Sequence, residues 1–314
     1  MAEDRRPWFK TLLCLRGSVI RAVLPRMGIC SGFALGITIL HNFGVQVSWP
    51  ILSGVVPSIV LGLLLVFRTN TSYERFWEGR KLWGTMVNTS RNLARQIWVS
   101  VKTSRESKAR ALKLVVAFAI ATKQQLRHQP CDQELRHLVS PAQLDKLLTM
   151  NSPPLEIAVW LGDYLQVQQL KGNINPYQLQ AMTQQLNSLV DVLGGCERIL
   201  KTPLPLAYSI HLKQLLVMYC LALPFQVVSE LNWWTVPVVS LVAFAVFGVE
   251  EIGLEIENPF GCDPNDLPLN AICKTMERNI QDLMTLTPSI EENTYQSWQV
   301  TTLLPIGSDK TQIE

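Results

Sequence analysis

The residue types that usually carry enzyme chemistry are present in this chain, but their spacing gives no catalytic pattern. The four histidines share no metal-ligand spacing, and there is no nucleophile elbow or phosphate-binding loop. The seven cysteines are widely spaced without a CxxC pair, which indicates small buried apolar side chains in a reducing compartment. We therefore predict a non-enzyme that requires no cofactor. The histidines are His41, His128, His137 and His211.

A more informative pattern is a stripe of three large apolar side chains, Ile59, Leu63 and Phe67. They recur at i, i+4 and i+8, so they stack along one face of a helix. The stretch that holds them, "VPSIVLGLLLVFRTNTSYERFWEGRKLWG", begins apolar and ends charged. By spacing alone, the stripe fits a lipid-facing or core position as well as a functional one.

Composition indicates a chain that is partly in a membrane. Of its 314 residues, 48% are hydrophobic and 17% are charged, which is too apolar for an ordinary soluble domain and too charged for an entirely membrane-embedded one. The net charge of +3 is small and its basic residues are scattered, which argues against nucleic-acid binding. Four segments approach the length of a membrane span: 23–43, 50–67, 215–228 (extended by 208–212) and 234–252. The shorter segment 112–121 is flanked by basic residues, so we expect it to be a buried cytosolic helix.

Charge also predicts orientation. Basic residues flank the spans on the side of both termini and are nearly missing from the two short connections, so both termini should be cytosolic. Trp49, Trp233 and Trp234 should lie at the opposite interface. Neither a signal peptide nor a plastid leader is recognisable, which favours a bacterial plasma membrane, with a cyanobacterial thylakoid as the alternative.

Between the second and third spans, apolar residues recur at helical spacing, and strand alternation is rare, so we predict an all-α membrane protein. "NSPPLE" and "KGNINPYQ" should interrupt the helices, as should Gly194 and Gly195. The predicted parts are an N-terminal cytosolic helix (1–22), spans one and two (23–69), a helical cytosolic domain (70–207), spans three and four (208–254) and a cytosolic C-terminal segment (255–314).

Span one carries Gly28, Gly32 and Gly36, spaced four residues apart on one face. Small residues at this spacing allow another helix backbone to approach closely. Four short spans in one chain would hardly supply enough neighbours, so we expect oligomerisation.

Three blocks resemble the bestrophin family, specifically its prokaryotic and chloroplast branch: "FRTNTSYERFWEGRKLWGTMVNTSRNLARQ" (67–96), "GGCERILKTPLPLAYSIHL" (194–212) and "EIENPFGCDPNDLPLNAIC" (255–273). The resemblance implies a homopentamer of four-span subunits around one central pore in the lipid bilayer. It also implies that Ile59, Leu63 and Phe67 form a hydrophobic neck that lines this pore. Such a ring gates by dewetting, and Gly54 and Gly62 beside it would let the helix pack closely or shift.

The resemblance implies two further sites. A second constriction, the cytosolic aperture, would be formed by Tyr177 or, as the next choice, Ile174; an ordinary loop–helix junction is the alternative. Asn258, Asp263 and Asp266 match positions that help to bind calcium in animal bestrophins. Cys262 and Pro264 interrupt the acidic run, so we favour helix capping and loop packing by the aspartates over calcium binding.

Ion selectivity follows less directly from the sequence. Arg68 near the membrane exit would attract anions, whereas Glu74 and Glu78 on the same helix would oppose it. An apolar neck favours ions that dehydrate easily, so we predict passive conduction of chloride, with bicarbonate or nitrate as further permeant anions. A sodium-selective channel of the same fold and a non-conducting membrane scaffold are the alternatives.

Overall fold

A computed structural model describes residues 17–49, 55–131 and 133–286. These residues form ten α-helices and one short 3-10 helix, and none of them lies in a β-strand. The helices are α1 (Ile20–Asn42), α2 (Val55–Ser100), α3 (Arg105–Leu126), α4 (Gln133–Arg136), α5 (Pro141–Thr149), α6 (Pro153–Leu170), α7 (Pro176–Lys201), α8 (Leu206–Leu231), α9 (Thr235–Glu255) and α10 (Leu269–Thr285).

Two stretches of the described chain are long and apolar enough to cross a membrane. One is Ile20–Asn42, which is α1, and the other is Leu206–Glu255, which holds α8 and α9 joined by the 3-10 helix Asn232–Trp234. Helix α8 begins at Leu206, so it includes residues 208–212, the predicted extension of the third span. These helices pack with the start of α2 around a membrane-end cluster that includes Cys30, Leu61, Leu65, Leu216, Cys220 and Phe247.

Helix α2 is the element that links the two parts of the molecule. Its 46 residues run without interruption from Val55 to Ser100, a length of about 70 Å at 1.5 Å per residue. Leu61 and Leu65 belong to the membrane-end cluster, whereas Trp83 and Met86 belong to a second, larger cluster, which we call the cytosolic core after its predicted location. The predicted start of the second span at residues 50–54, including Gly54, lies outside the described residues.

The cytosolic core is built mainly from α2, α3, α6, α7 and α10. Residues 111–124 of α3 are nearly all buried, which confirms that 112–121 is a buried helix. Cys196 and Cys273 are also buried here, and burial raises the pKa of each thiol to about 12. Both thiols therefore stay neutral near pH 7, in agreement with their predicted role as small apolar side chains.

Local sequence explains where two of the helices begin. Ser140 with Gln143 and Asn175 with Gln178 form capping boxes, and a proline follows each cap. The predicted interruption at Gly194 and Gly195 is wrong, because α7 continues through both to Lys201. A Cβ atom on Gly195 would lie 2.9 Å from a methyl carbon of Leu82, so this glycine permits close packing of α7 against α2.

Candidate functional site

The structure places Ile59, Leu63 and Phe67 on one exposed face of α2. Their exposed fractions are 56%, 53% and 61%, whereas Leu61 and Leu65 on the other side of the helix are 4% and 7% exposed. Packing within the subunit thus leaves the three large side chains free to contact something else. Outside the backbone of α2, no atom of the described residues lies within 4 Å of where a Cβ on Gly62 would be. We call Ile59, Leu63 and Phe67 the neck stripe.

Arg68 directly follows the neck stripe but points into the subunit. It is 1% exposed, and its Nη2 donates to Oε2 of Glu257 at 2.7 Å while Nη1 donates to Oγ of Ser209 at 3.3 Å. A buried guanidinium with a carboxylate partner carries no free charge to attract ions. The expectation that Arg68 attracts anions at the membrane exit is therefore wrong.

Glu257 holds together three segments at the junction between the membrane end and the cytosolic core. Besides Arg68, its carboxylate accepts a hydrogen bond from the backbone N–H of Leu204 at 2.9 Å, and its carbonyl oxygen accepts one from Nε of Arg75 at 3.1 Å. Arg75 also donates to the carbonyl oxygens of Ile199 and Thr202 at the end of α7. The junction of α2, α7 and α8 is thus fixed by one carboxylate and two arginines.

The face of α2 that carries Arg68 and Arg75 continues to Gly79, which packs on the segment after Glu257. A Cβ atom on Gly79 would lie 2.9 Å from Cγ of Pro259 and 3.2 Å from the Phe260 ring.

Burial lowers the pKa of Arg75, although the nearby Glu257 and Glu78 carboxylates raise it. Sequence reasoning missed this junction; the available signals were the seven-residue spacing of Arg68 and Arg75 and the block "EIENPFG".

The block after α9 forms a compact turn. The backbone N–H of Asp263 donates to the Asp266 carboxylate at 2.7 Å, and the N–H of Phe260 donates to the Asn258 side chain at 3.3 Å. Burial raises the pKa of Asp266. Neither aspartate caps α10, because the N-cap residue is Pro268 and it makes no side-chain cap; the helix-capping part of the expectation is wrong.

Residues 17–49, 55–131 and 133–286 contain no group of three or more His, Cys, Asp or Glu side chains arranged to hold a metal ion. His137 instead lies 2.8 Å from the Glu277 carboxylate. Asn258, Asp263 and Asp266 supply loop contacts in the structure, and the question of calcium binding there stays open as a prediction.

The two candidate aperture residues have different environments. Tyr177 lies in the first turn of α7 and is 82% exposed. Ile174 is 5% exposed and belongs to the cytosolic core, so it cannot line an opening, and this second choice is wrong. Tyr177 stays a prediction.

The glycine face of α1 points away from the other helices of the chain. Gly28, Gly32 and Gly36 are all exposed, and outside the backbone of α1 no atom of the described residues lies within 4 Å of where their Cβ atoms would be. Helix α9 packs instead on the opposite side of α1, and Arg26 joins the two through Glu250 and Glu251 at 3.2 and 2.6 Å. Any close helix approach at the glycine face must therefore come from outside the described part of the chain.

The structure is an all-helical protein with one long helix that carries an exposed apolar stripe. Proteins of known family resemble it in sequence and fold. The family model for bacterial and fungal bestrophins matches residues 1–282. A voltage-dependent anion channel-forming protein of Nostoc sp. is 58% identical over 297 residues, covering 93% of this chain and 97% of the relative. A protein of the same name from Synechocystis sp. is 56% identical over 291 residues, covering 91% of this chain and 95% of the relative.

Solved structures agree. The crystal structure of a bacterial bestrophin homologue from Klebsiella pneumoniae superposes with a TM-score of 0.78 at 30% identity, covering 85% of this chain and all of that one. The chain therefore belongs to the bacterial and fungal bestrophin family, as its three sequence blocks predicted.

Proposed function

We propose that the protein is an anion channel that assembles as a homopentamer around one central pore. The names of its cyanobacterial relatives support anion conduction. The observation that carries the proposal is the neck stripe, because three large apolar side chains stay half exposed on a helix whose other side is buried. In the pentamer, five copies of the stripe would form a three-tier apolar ring on the axis.

A ring of this kind controls ion passage by controlling whether water fills the constriction. When it is narrow, water leaves the apolar constriction, and an ion must shed part of its hydration to pass. Weakly hydrated anions such as chloride and nitrate pay less for this step than sodium does, and bicarbonate is a further candidate. Transport is passive, with no enzyme step and no required metal.

The remaining features of the proposal concern the subunit in its membrane. Four helices would cross the bilayer, with α2 entering through the apolar segment that ends at Phe67, and both termini would lie in the cytosol. Tyr177, exposed at the start of α7, would form the cytosolic aperture. A bacterial plasma membrane or a cyanobacterial thylakoid would house the channel.

Recording from purified protein in planar bilayers tests the function. With asymmetric sodium chloride, we expect unitary currents that reverse close to the chloride equilibrium potential. Reversal close to the sodium potential would show a cation channel of the same fold. The lack of currents in protein that is folded and assembled would favour a non-conducting scaffold.

The assembly has its own test. Mass measurement in detergent should give about five times the 35.4 kDa subunit mass, and a stable monomer would contradict the pentamer. Gly32→Leu should weaken assembly and Gly32→Ala should do so less, because a larger side chain holds neighbouring backbones further apart. If both variants assembled as fully as wild type, the glycine face of α1 would not lie between subunits.

A further inference from the structure

One exposed face runs along α2 from the neck stripe to the cytosolic end of the helix. At 100° per residue, steps of three and four residues keep positions within about 40° of the direction of Leu63. Every position reached in this way is exposed. Below Phe67 they include Asn70, Glu74, Trp77, Lys81, Asn88 and Arg95.

This face carries unpaired charge. Glu74, Lys81 and Arg95 make no hydrogen bond or ion pair within the described parts of the chain. The other acidic residue near the neck, Glu78, is paired with Arg198. Arg68 is buried against Glu257, as described above. The Leu63 face of α2 therefore has two free basic groups and one free acidic group per subunit.

We propose that Lys81 and Arg95 determine anion selectivity by forming two basic rings in the cytosolic vestibule, beyond an acidic ring of Glu74. The inference rests on the proposed function, because only a pore along this face brings five copies of each side chain together. The neck stripe has no charge, so it favours anions only through their easier dehydration, and any selectivity that arises from charge must come from elsewhere on the pore wall. Two basic residues against one acidic residue leave an excess of positive charge on the wall.

Distance along the helix separates the three rings. At 1.5 Å per residue, Glu74 lies about 10 Å beyond Phe67, Lys81 about 21 Å and Arg95 about 42 Å. The Debye length is about 8 Å at physiological ionic strength, so each ring acts mainly on the solution beside it. A charged wall of this kind concentrates ions of opposite sign by about tenfold or more at low ionic strength.

The chain offers a matched control for Lys81 in its neighbour Arg80. Both residues are basic and exposed on α2, and Arg80 is also unpaired in the described chain, but its direction lies about 100° from that of Leu63. Lys81→Glu and Arg80→Glu therefore make the same change in net charge at nearly the same depth. Only the first change falls on the proposed pore wall.

The experiment measures the reversal potential of each variant in asymmetric sodium chloride at low and high salt. We expect Lys81→Glu to lower the chloride-to-sodium permeability ratio by about threefold or more at low salt, and less at high salt because of screening. Glu74→Gln should raise the ratio, and Arg80→Glu should leave it unchanged. Mass measurement checks that every variant assembles as wild type does.

Chemical restoration of the charge supplies a second readout. Lys81→Cys should lower the chloride-to-sodium permeability ratio, and aminoethyl methanethiosulfonate, which adds a positive charge to the thiol, should restore it. The same reagent on wild type controls for the exposed Cys262. An unchanged ratio in Lys81→Glu, or an equal shift in Arg80→Glu, would overturn the proposed rings while leaving the channel intact. A wild-type protein without anion current would instead overturn the proposed function.

Discussion

The membrane end and the cytosolic end of α2 are packed in different ways, although they belong to one continuous helix. In the cytosolic half, Trp83, Met86 and Leu93 are each 0% exposed. In the membrane half, even the most buried apolar side chains of α2 keep some exposure, and the neighbouring Leu63 and Phe67 are half exposed. Both halves of α2 keep an exposed face, and the cytosolic half buries its large apolar side chains more completely within the subunit.

This difference separates stability from function along the helix. Side chains that are buried within the subunit contribute to folding through apolar burial and packing. Side chains that the subunit leaves exposed, such as the neck stripe, contribute little to its own fold and are available to a pore, to lipid or to another copy. Substitutions at the two ends of α2 should therefore have different consequences.

The largest expected effect compares two tryptophans of α2. Trp83 is 0% exposed in the cytosolic core, and Trp77, less than two turns earlier, is 51% exposed. Trp83→Ala should destabilise the protein by about 3–5 kcal/mol, because it leaves a cavity in a packed core. Trp77→Ala should cost at most about 1 kcal/mol. Thermal unfolding in detergent measures both, and equal melting temperatures would contradict the packing described for α2.

The second comparison sets a buried ion pair against an exposed one. Glu257→Ala removes the partner of the buried Arg68 and should cost about 3 kcal/mol or more, because a buried charge is left uncompensated. Glu78→Ala breaks a pair with Arg198 whose side chains are 40% and 66% exposed, and should cost about 0–1 kcal/mol. If the two variants melted alike, the junction would not depend on Glu257.

The smallest effect compares adjacent glycines in α7. A Cβ on Gly195 would meet Leu82, so Gly195→Ala should cost about 1–2 kcal/mol unless Leu82 moves aside. Outside the backbone of α7, no atom of the described residues lies within 4 Å of the Cβ position of Gly194, so Gly194→Ala should stabilise the helix by about 0.5–1 kcal/mol. Opposite shifts of the melting temperature are expected, and shifts of the same sign would argue against close packing at Gly195.

Helical periodicity and composition were enough to predict the all-α fold and the buried helix at 112–121. They failed at Gly194 and Gly195, because a glycine that interrupts an isolated helix is also the residue that lets two helices touch. That choice depends on Leu82, a residue more than one hundred positions away.

The geometry of the candidate site was also predicted only in part. Spacing placed the neck stripe on one face, because a helix determines the direction of its side chains locally. Spacing could not show that Arg68 turns inward, since its partner Glu257 lies 189 positions further along the chain. The burial of Ile174 likewise depends on packing between elements that are distant in sequence.

The most direct test of the account is a side-by-side bilayer recording of wild type and the triple variant Ile59→Ala/Leu63→Ala/Phe67→Ala. A matched control is Ile29→Ala/Leu241→Ala, which trims two apolar side chains that are 71% and 69% exposed on α1 and α9. A dewetting neck predicts that the triple variant carries more current, with Phe67→Ala alone showing part of the gain and the control showing none. Unchanged open probability and unitary current in the triple variant would remove the neck stripe from the pore and contradict the account.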